Sequence, residues 1–276
     1  DGVNLEEFSK LVEKQIEEGV DSLIVCGTTG ESATMTEEER LKTIECAVKV
    51  ANGRVPIIAG TGSNNTKNVI EMNKKVEKIG VDGVLIVTPY YNKTTQDGLI
   101  RHYSEIAKNT TLPIILYNVP SRTGVNIKPE TALELSKIDN IVAIKEASGD
   151  LSQIAKTASL CGDNLNIYSG NDDQIIPILS IGGIGVISVL SNVRPKYTHE
   201  MCYNYFNGEV EKARKMQLDA IPLINALFSE VNPIPVKVAL RLMGFDMGPL
   251  RMPLCEMEDA HLEQLKTAMR KFNLIK

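Results

Sequence analysis

The chain carries no tryptophan, and its 276 residues include only three histidines and five cysteines. The missing tryptophan constrains little. His102, His199 and His261 stand far apart, with no HExxH or similar spacing, so no metal site is expected. Cys26, Cys46, Cys161, Cys202 and Cys255 are scattered, odd in number and form no CxxC. A reduced, cytoplasmic protein is the expectation. No apolar run approaches the roughly 20 residues that span a membrane, and no secretory signal is visible. Charged residues make up 24% of the chain, mixed in sign, with a net charge of -5. The lack of a basic block argues against nucleic-acid binding. No GxGxxG follows the first strand and no P-loop pattern appears, which weakens a dinucleotide or nucleotide site.

What is present is a repeating pattern. Residues 4–18 read as an amphipathic helix, with Leu5, Phe8, Leu11, Val12 and Ile16 near one stripe. Asn4 is the expected cap, with Glu7 completing a capping box. A strand at 22–26 runs into Gly27, Thr28, Thr29 and Gly30. A helix then starts at Glu37, capped by Thr36 with Glu39 as capping-box partner. Strands follow at 55–60, 83–87, 113–117, 141–148, 165–169 and 185–189. Helices lie between them, at 66–79, at 96–108, from Pro129, from Asp150 and at 172–181. Strands rich in Ile and Val, alternating with helices, predict a parallel sheet covered on both faces.

The number of units points to a (β/α)8 TIM barrel. Seven strands are countable, and the chain opens at Asp1 with a helix close behind. A closed barrel needs one more strand before Asn4, about 15 residues with its loop. The expected fold is therefore an α/β barrel lacking its first strand, over residues 1–207, the missing segment removed or lost. Residues 208–276 read as a C-terminal helical appendage, with helices at 209–228, 235–243 and 259–272 after one at 196–207.

In a parallel barrel the loops after the strands form the active face. The lysine strand ends in Ile144, Lys145, Glu146, Ala147 and Ser148. Alternation places Ile141, Ala143, Lys145 and Ala147 on one face, with Val142, Ile144 and Glu146 on the other. Two alanines beside Lys145 leave room for a small molecule. Burial lowers the pKa of an amine and makes it a nucleophile for carbonyl carbon. From this strand alone, an edge lysine reaching to water explains the residue as well. Elsewhere on the rim stand Thr28, Thr29, Tyr90, Tyr91, Tyr117, Arg122, Gly170 and Asn171. A tight turn, packing aromatics, a surface arginine and a helix cap account for each piece singly. Together they suit Schiff-base chemistry on a small keto acid, without metal or cofactor.

Eight stretches carry a resemblance over essentially the whole chain: GTTGES at 27–32, TPYYN at 88–92, YNVPSRTG at 117–124, IKEAS at 144–148, YSGND at 168–172, GVISV at 185–189, NPIPVK at 232–237 and GPLRMPL at 248–254. The chain resembles the dihydrodipicolinate synthase family, within the pyruvate-dependent lyases that include N-acetylneuraminate lyase. The resemblance implies condensation of pyruvate with L-aspartate semialdehyde through a lysine Schiff base, in diaminopimelate and lysine biosynthesis. It implies that Lys145 forms the imine and that Tyr117, Thr28 and Tyr91 relay protons, Tyr91 coming from a neighbouring subunit. Thr28 and Thr29 would hold the pyruvate carboxylate and Arg122 that of the semialdehyde. Gly170 and Ile187 would offer backbone contacts. A homotetramer built as a dimer of dimers is implied, with no cofactor beyond the substrate imine. Two departures stand out. Glu37, Arg40, Asn64 and Asn68 occupy positions where lysine-inhibited members carry histidines and a glutamate, so lysine inhibition is not expected. The family's first strand, with its TPF-like end, is absent. Sialic-acid or sugar-acid lyases, an impaired truncated barrel and a non-catalytic barrel are the competing expectations.

Overall fold

The computed structural model describes residues 2–276. The chain divides into two compact units, one reaching to Val55 and resuming at Ser188–Lys276, the other Pro56–Ile187.

The first unit opens with the Leu5–Glu17 helix, followed by strand β1 (Leu23–Val25) and the Glu37–Ala51 helix. Its later part is helical, with Pro195–Phe206, Val210–Leu227, Ile234–Leu242 and Asp259–Lys271 as the main elements. Thr36 and Glu39 form the expected capping box, at 3.2 and 2.8 Å. The box expected at Asn4 is only half made. Asn4 accepts from the Glu7 N–H at 3.1 Å. The Glu7 carboxylate turns instead to the Asp246 N–H at 3.2 Å and to Lys10 at 3.1 Å. A cation one turn along the same helix and a free N–H compete successfully for it.

The turn that carries Thr28 and Thr29 is held by charge. Its next residue, Glu31, sits at φ 53° and accepts from Lys237 at 2.5 Å and from the Arg251 N–H at 2.9 Å. Arg251 in turn grips the Glu39 carboxylate with both terminal nitrogens, at 2.9 and 2.6 Å. Such bidentate pairs add geometric specificity to charge.

The second unit alternates strand and helix. Strands β2 (Ile57–Gly60), β3 (Gly83–Val87), β4 (Ile114–Asn118), β5 (Ile141–Glu146), β6 (Asn166–Ser169) and β7 (Gly185–Val186) pair in sequence order, all parallel. The helices Thr66–Ile79, Gln96–Ala107, Pro129–Leu135 and Leu151–Cys161 lie between them. Asn65, Thr95 and Asp150 cap three of these through their side chains. Ile57, Val84, Ile86, Ile114, Leu116 and Ile144 are at most 2% exposed. Each such side chain contributes roughly 1.5–3 kcal/mol of burial. The buried Tyr103 hydroxyl donates to the Ile86 carbonyl at 3.1 Å, so its polar end is satisfied.

Two elements are shorter than their sequence patterns. The helix expected at 172–181 is a 3-10 turn, Asp172–Gln174, followed by the short helix Ile175–Leu179. The final strand stops at Val186 because the chain turns. Ile187 still donates to the Ser169 carbonyl at 2.8 Å, but Ser188 then accepts from the Ser191 N–H through its side chain. Seven strands form among the described residues, and none precedes Leu5. Within the same residues no helix is long and apolar enough to cross a membrane, no disulfide forms, and no cluster of His, Cys, Asp and Glu suits a metal ion.

The Glu39 pairing has a pH signature. Hydrogen bonds from Arg251, and then from the Thr36 N–H, hold its carboxyl at about 2, below the ordinary 4.5. A depressed pKa stabilises fully above the unfolded value and loses that effect as pH falls through the folded one. Glu39→Gln is expected to lower Tm at pH 6 and to lower it much less at pH 2, where the folded carboxyl is already partly protonated. Melting curves of both proteins across that range test this, and an equal gap at both ends contradicts it.

Candidate active site

The site begins with an irregularity between β4 and β5. Ile114 pairs with Ile141, but Ile115 pairs with Ala143, so Val142 has no partner. Such one-residue insertions are rare in parallel pairs and recur beside active sites. The shift has a direct consequence. An unshifted ladder would set Lys145 opposite Asn118. The shifted one sets Lys145 opposite Tyr117 and Glu146 opposite Asn118. It also breaks the expected alternation. Ile141 aligns with Ile114, on the Asn118 side, and does not share the Lys145 face. Ala143 does share it.

The Lys145 Nζ lies 4.4 Å from the centroid of the Tyr117 ring. An ammonium at that distance interacts favourably with an aromatic face. Tyr117 is 7% exposed, whereas Lys145 is half-buried rather than enclosed. Partial burial falls between the two readings of this strand, a sheltered amine and an edge lysine reaching to water. The lysine stands one residue before the C-terminal end of β5. On its other side the register partner is Tyr168 of β6. The lysine is thus flanked by two tyrosines, and the sequence pattern singled out only one. The other was readable only as a strand residue ahead of Gly170.

Gly170 follows β6, and its N–H donates to the Glu146 carbonyl at 2.7 Å. A Cβ at Gly170 would meet the Ala147 Cβ at 2.7 Å and the Glu146 carbonyl at 3.0 Å. Only glycine fits so close to the lysine strand. The Ile187 N–H is likewise engaged, by Ser169. The N–H groups of Gly170 and Ile187 are thus engaged, so a backbone contact from either would come from its carbonyl oxygen. Arg122 lies on the short helix Pro120–Thr123 directly after β4, with its side chain exposed. Thr123 anchors that turn, donating to the Val119 and Val125 carbonyls at 3.2 and 3.0 Å.

Tyr91 stands apart from this group. It is 92% exposed, with its backbone at φ 68°. Left-handed backbone is uncommon for a bulky residue. The loop is nevertheless pinned: Asn64 donates to the Tyr90 carbonyl at 3.2 Å, and Asn92 donates to the Asn64 carbonyl at 3.1 Å. Thr28 and Thr29 belong to the first unit, on the 3-10 turn Thr28–Gly30, where both are half-buried. Asn232 donates to the Thr29 hydroxyl at 3.0 Å.

A parallel sheet with interleaved helices, and with an amine and a phenol in contact near the C-terminal ends of two neighbouring strands, defines the class as an α/β protein. The family model of the Dihydrodipicolinate synthetase family matches residues 1–272, and the chain belongs to that family. The 4-hydroxy-tetrahydrodipicolinate synthase of Clostridium perfringens (strain SM101 / Type A) is 58% identical, over 100% of this chain and 95% of its own. The enzyme of the same name from Thermoanaerobacter sp. (strain X514) is 56% identical, over 100% of this chain and 93% of its own. Among solved structures, the Thermotoga maritima dihydrodipicolinate synthase superposes with a TM-score of 0.97 at 47% identity, covering 99% of this chain and 94% of its own.

The close approach at Gly170 yields a direct expectation. Gly170→Ala forces the β5 end and the loop after β6 apart, at a cost of about 1–3 kcal/mol. Denaturant unfolding measures it, and a variant as stable as the parent would show that the neighbours yield freely.

Proposed function

We propose that this chain condenses pyruvate with L-aspartate semialdehyde to give 4-hydroxy-tetrahydrodipicolinate, in the diaminopimelate and lysine pathway, with Lys145 as the Schiff-base lysine. The observation that carries the assignment is the 4.4 Å approach of the Lys145 Nζ to the Tyr117 ring, at matched register on adjacent strands. The family membership of the whole chain supports the substrate pair.

The chemistry follows from the groups at hand. The Lys145 amine adds to the ketone carbon of pyruvate, and loss of water leaves an imine. The imine acts as an electron sink, so a methyl proton departs and an enamine forms. The enamine carbon attacks the aldehyde carbon, and the resulting alkoxide takes up a proton. The amino group of the semialdehyde then displaces Lys145 and closes the ring, which frees the lysine for the next turnover. The substrate imine supplies the electron sink, so the proposed cycle runs without a resident cofactor. Tyr117 is the proton holder, since it borders the amine and its hydroxyl can both give and accept. Thr28 extends the relay, and Thr28 and Thr29 hold the pyruvate carboxylate. Arg122, a planar cation on the rim, receives the second carboxylate. Gly170 and Ile187 line the pyruvate end with carbonyls.

Tyr91 completes the relay of a neighbouring subunit in this reading. A phenol 92% exposed on a hydrogen-bonded loop is arranged to reach outward, which supports a homo-oligomer, proposed as a tetramer of two dimers. Barrel closure of the α/β fold is part of the same proposal.

Borohydride reduction in the presence of pyruvate, read by intact mass and peptide mapping, tests the assignment. The parent protein is expected to gain one pyruvate adduct on Lys145. Lys145→Ala should gain none while keeping its circular dichroism spectrum. Tyr117→Phe should still be trapped, with turnover reduced by about 10²–10⁴-fold. An adduct on Lys145→Ala overturns the proposal. Turnover with sugar aldehydes in place of the semialdehyde would move the chain to the sugar-acid lyases.

A further inference from the structure

The reverse face of the same two strands carries a polar pair that the proposed reaction does not use. Asn118 is 0% exposed and Glu146 is 2% exposed, both at strand ends that are otherwise apolar. They are register partners, one step beyond Tyr117 and Lys145. The Asn118 amide nitrogen donates to both Glu146 oxygens, at 3.1 and 3.0 Å, and to the Asn126 carbonyl oxygen at 2.8 Å. The Asn118 oxygen accepts from the Ile127 N–H at 2.9 Å. Glu146 accepts in addition from the Ser148 N–H at 2.8 Å. The Gln153 amide closes the set, pairing with Asn126 at 2.7 and 3.1 Å.

A carboxyl on this face is expensive, and an apolar residue of similar size would pack there without the cost. Burial pushes the Glu146 carboxyl up, against the hydrogen bonds from Ser148 and Asn118. What the pair supplies is direction. Strands of Ile, Leu, Val and Ala can slide by one residue with little loss of apolar contact, yet a slip turns every side chain to the opposite face. The ladder already contains one such step, at Val142. In the unshifted register Lys145 would meet Asn118 and lose Tyr117, and Glu146 would lie opposite Val119 with its buried carboxyl parted from Asn118. That state carries the full penalty of an uncompensated polar group.

We propose that Asn118 and Glu146 are positioning residues, a buried pair that holds β4 and β5 in the shifted register and so keeps the Lys145 amine beside the Tyr117 ring. The proposal rests on the reading of Lys145 as the Schiff-base lysine. It assigns no contact between the pair and substrate.

The chemistry of the pair allows a reciprocal test. In Glu146→Gln the retained oxygen keeps the Ser148 bond, and the new amide N–H₂ replaces Oε2, donor against the Asn118 N–H₂ at 3.0 Å. In Asn118→Asp a second carboxyl faces the first. The double exchange Glu146→Gln with Asn118→Asp restores one donor against one acceptor. The Ser148 and Ile127 bonds remain available to it, and the Asn126 and Gln153 amides need only turn over together. Each single variant is expected to lower kcat by about 10²-fold, the effect of displacing reacting groups by about 1 Å. KM for pyruvate should change much less, and borohydride trapping should slow in parallel with kcat. The double exchange should recover most of the lost kcat. Assays run well below each variant's Tm separate positioning from loss of fold, because a purely structural role lowers Tm and leaves the kcat of the folded fraction unchanged.

A folded Glu146→Gln with parental kcat overturns the proposal, as does a double exchange no faster than the slower single variant. Should Glu146→Gln fail to fold, Glu146→Asp keeps the charge and withdraws the carboxyl by one methylene. Folded and slowed, it supports the pair as positioning residues; folded at full rate, it overturns them. The two levels of inference fail differently. A parent protein with no adduct at Lys145 overturns the underlying reading. A trapped parent beside a full-rate Glu146→Gln overturns the positioning role alone.

Discussion

Much of this structure depends on one misaligned residue. Val142 stands unpaired between β4 and β5, and everything after it on the lysine strand is advanced by one position. Because successive side chains of a strand point to opposite faces, that single step decides which residues meet. With it, amine meets phenol on one face and carboxyl meets amide on the other. Without it, both meetings are lost together. The reactive pair and the buried polar pair are therefore two faces of one constraint. This explains why an interior strand end tolerates a carboxyl at all.

The same economy appears where Thr28 and Thr29 are held. Their turn is a single 3-10 turn, and Glu31 adopts left-handed backbone immediately after it. The Glu31 carboxylate compensates by accepting from Lys237 and from the Arg251 backbone, residues more than 200 positions away in sequence. Lys237 and Glu31 are only 14% and 11% exposed, so this pair is far less screened than the helical surface pairs, such as Lys42 with Glu38 at 60% and 76%. Surface pairs of the second kind contribute little. Partly buried ones with satisfied neighbours constrain geometry, and here the geometry constrained is that of two threonines proposed to hold a carboxylate.

The elements were legible in the sequence wherever one physical signal dominated. Runs rich in Ile and Val located β2 to β6 to within a residue or two, and the Thr36 cap marked a helix start. The lysine strand β5 and its neighbour β4, which carries Tyr117, were both legible as strands. The register between β4 and β5 was not. Nothing in Ile141, Val142 and Ala143 distinguishes a bulge from an uninterrupted ladder, because all three are small or medium apolar side chains that fit either face. The sequence left the exposure of Lys145 open between a sheltered amine and an edge lysine, because apolar neighbours report what surrounds a strand and not where along the sheet it ends. The capping box at Asn4 failed because a sequence window of four residues cannot see Asp246. Tyr168 was hidden inside a strand whose face assignment required the register.

Glu146 is the instructive case. A lone acid in an apolar strand reads as an exposed edge residue, and on that reading its neighbour Lys145 reads the same way. Once Asn118 is placed opposite, the acid becomes a buried acceptor with three donor contacts from Asn118 and Ser148. The lysine's half-burial then follows from geometry rather than from composition. The carboxyl lies inside the sheet's covering layer, and alternation turns the amine to the other face at the open end of the strands. A strand carrying an acid and a base at adjacent positions separates them by face. Here the face with the donors takes the acid, and the face with the phenol takes the base. The neighbours in sequence are thus separated in space: the acid is held by Asn118 and Ser148, and the amine lies over the Tyr117 ring.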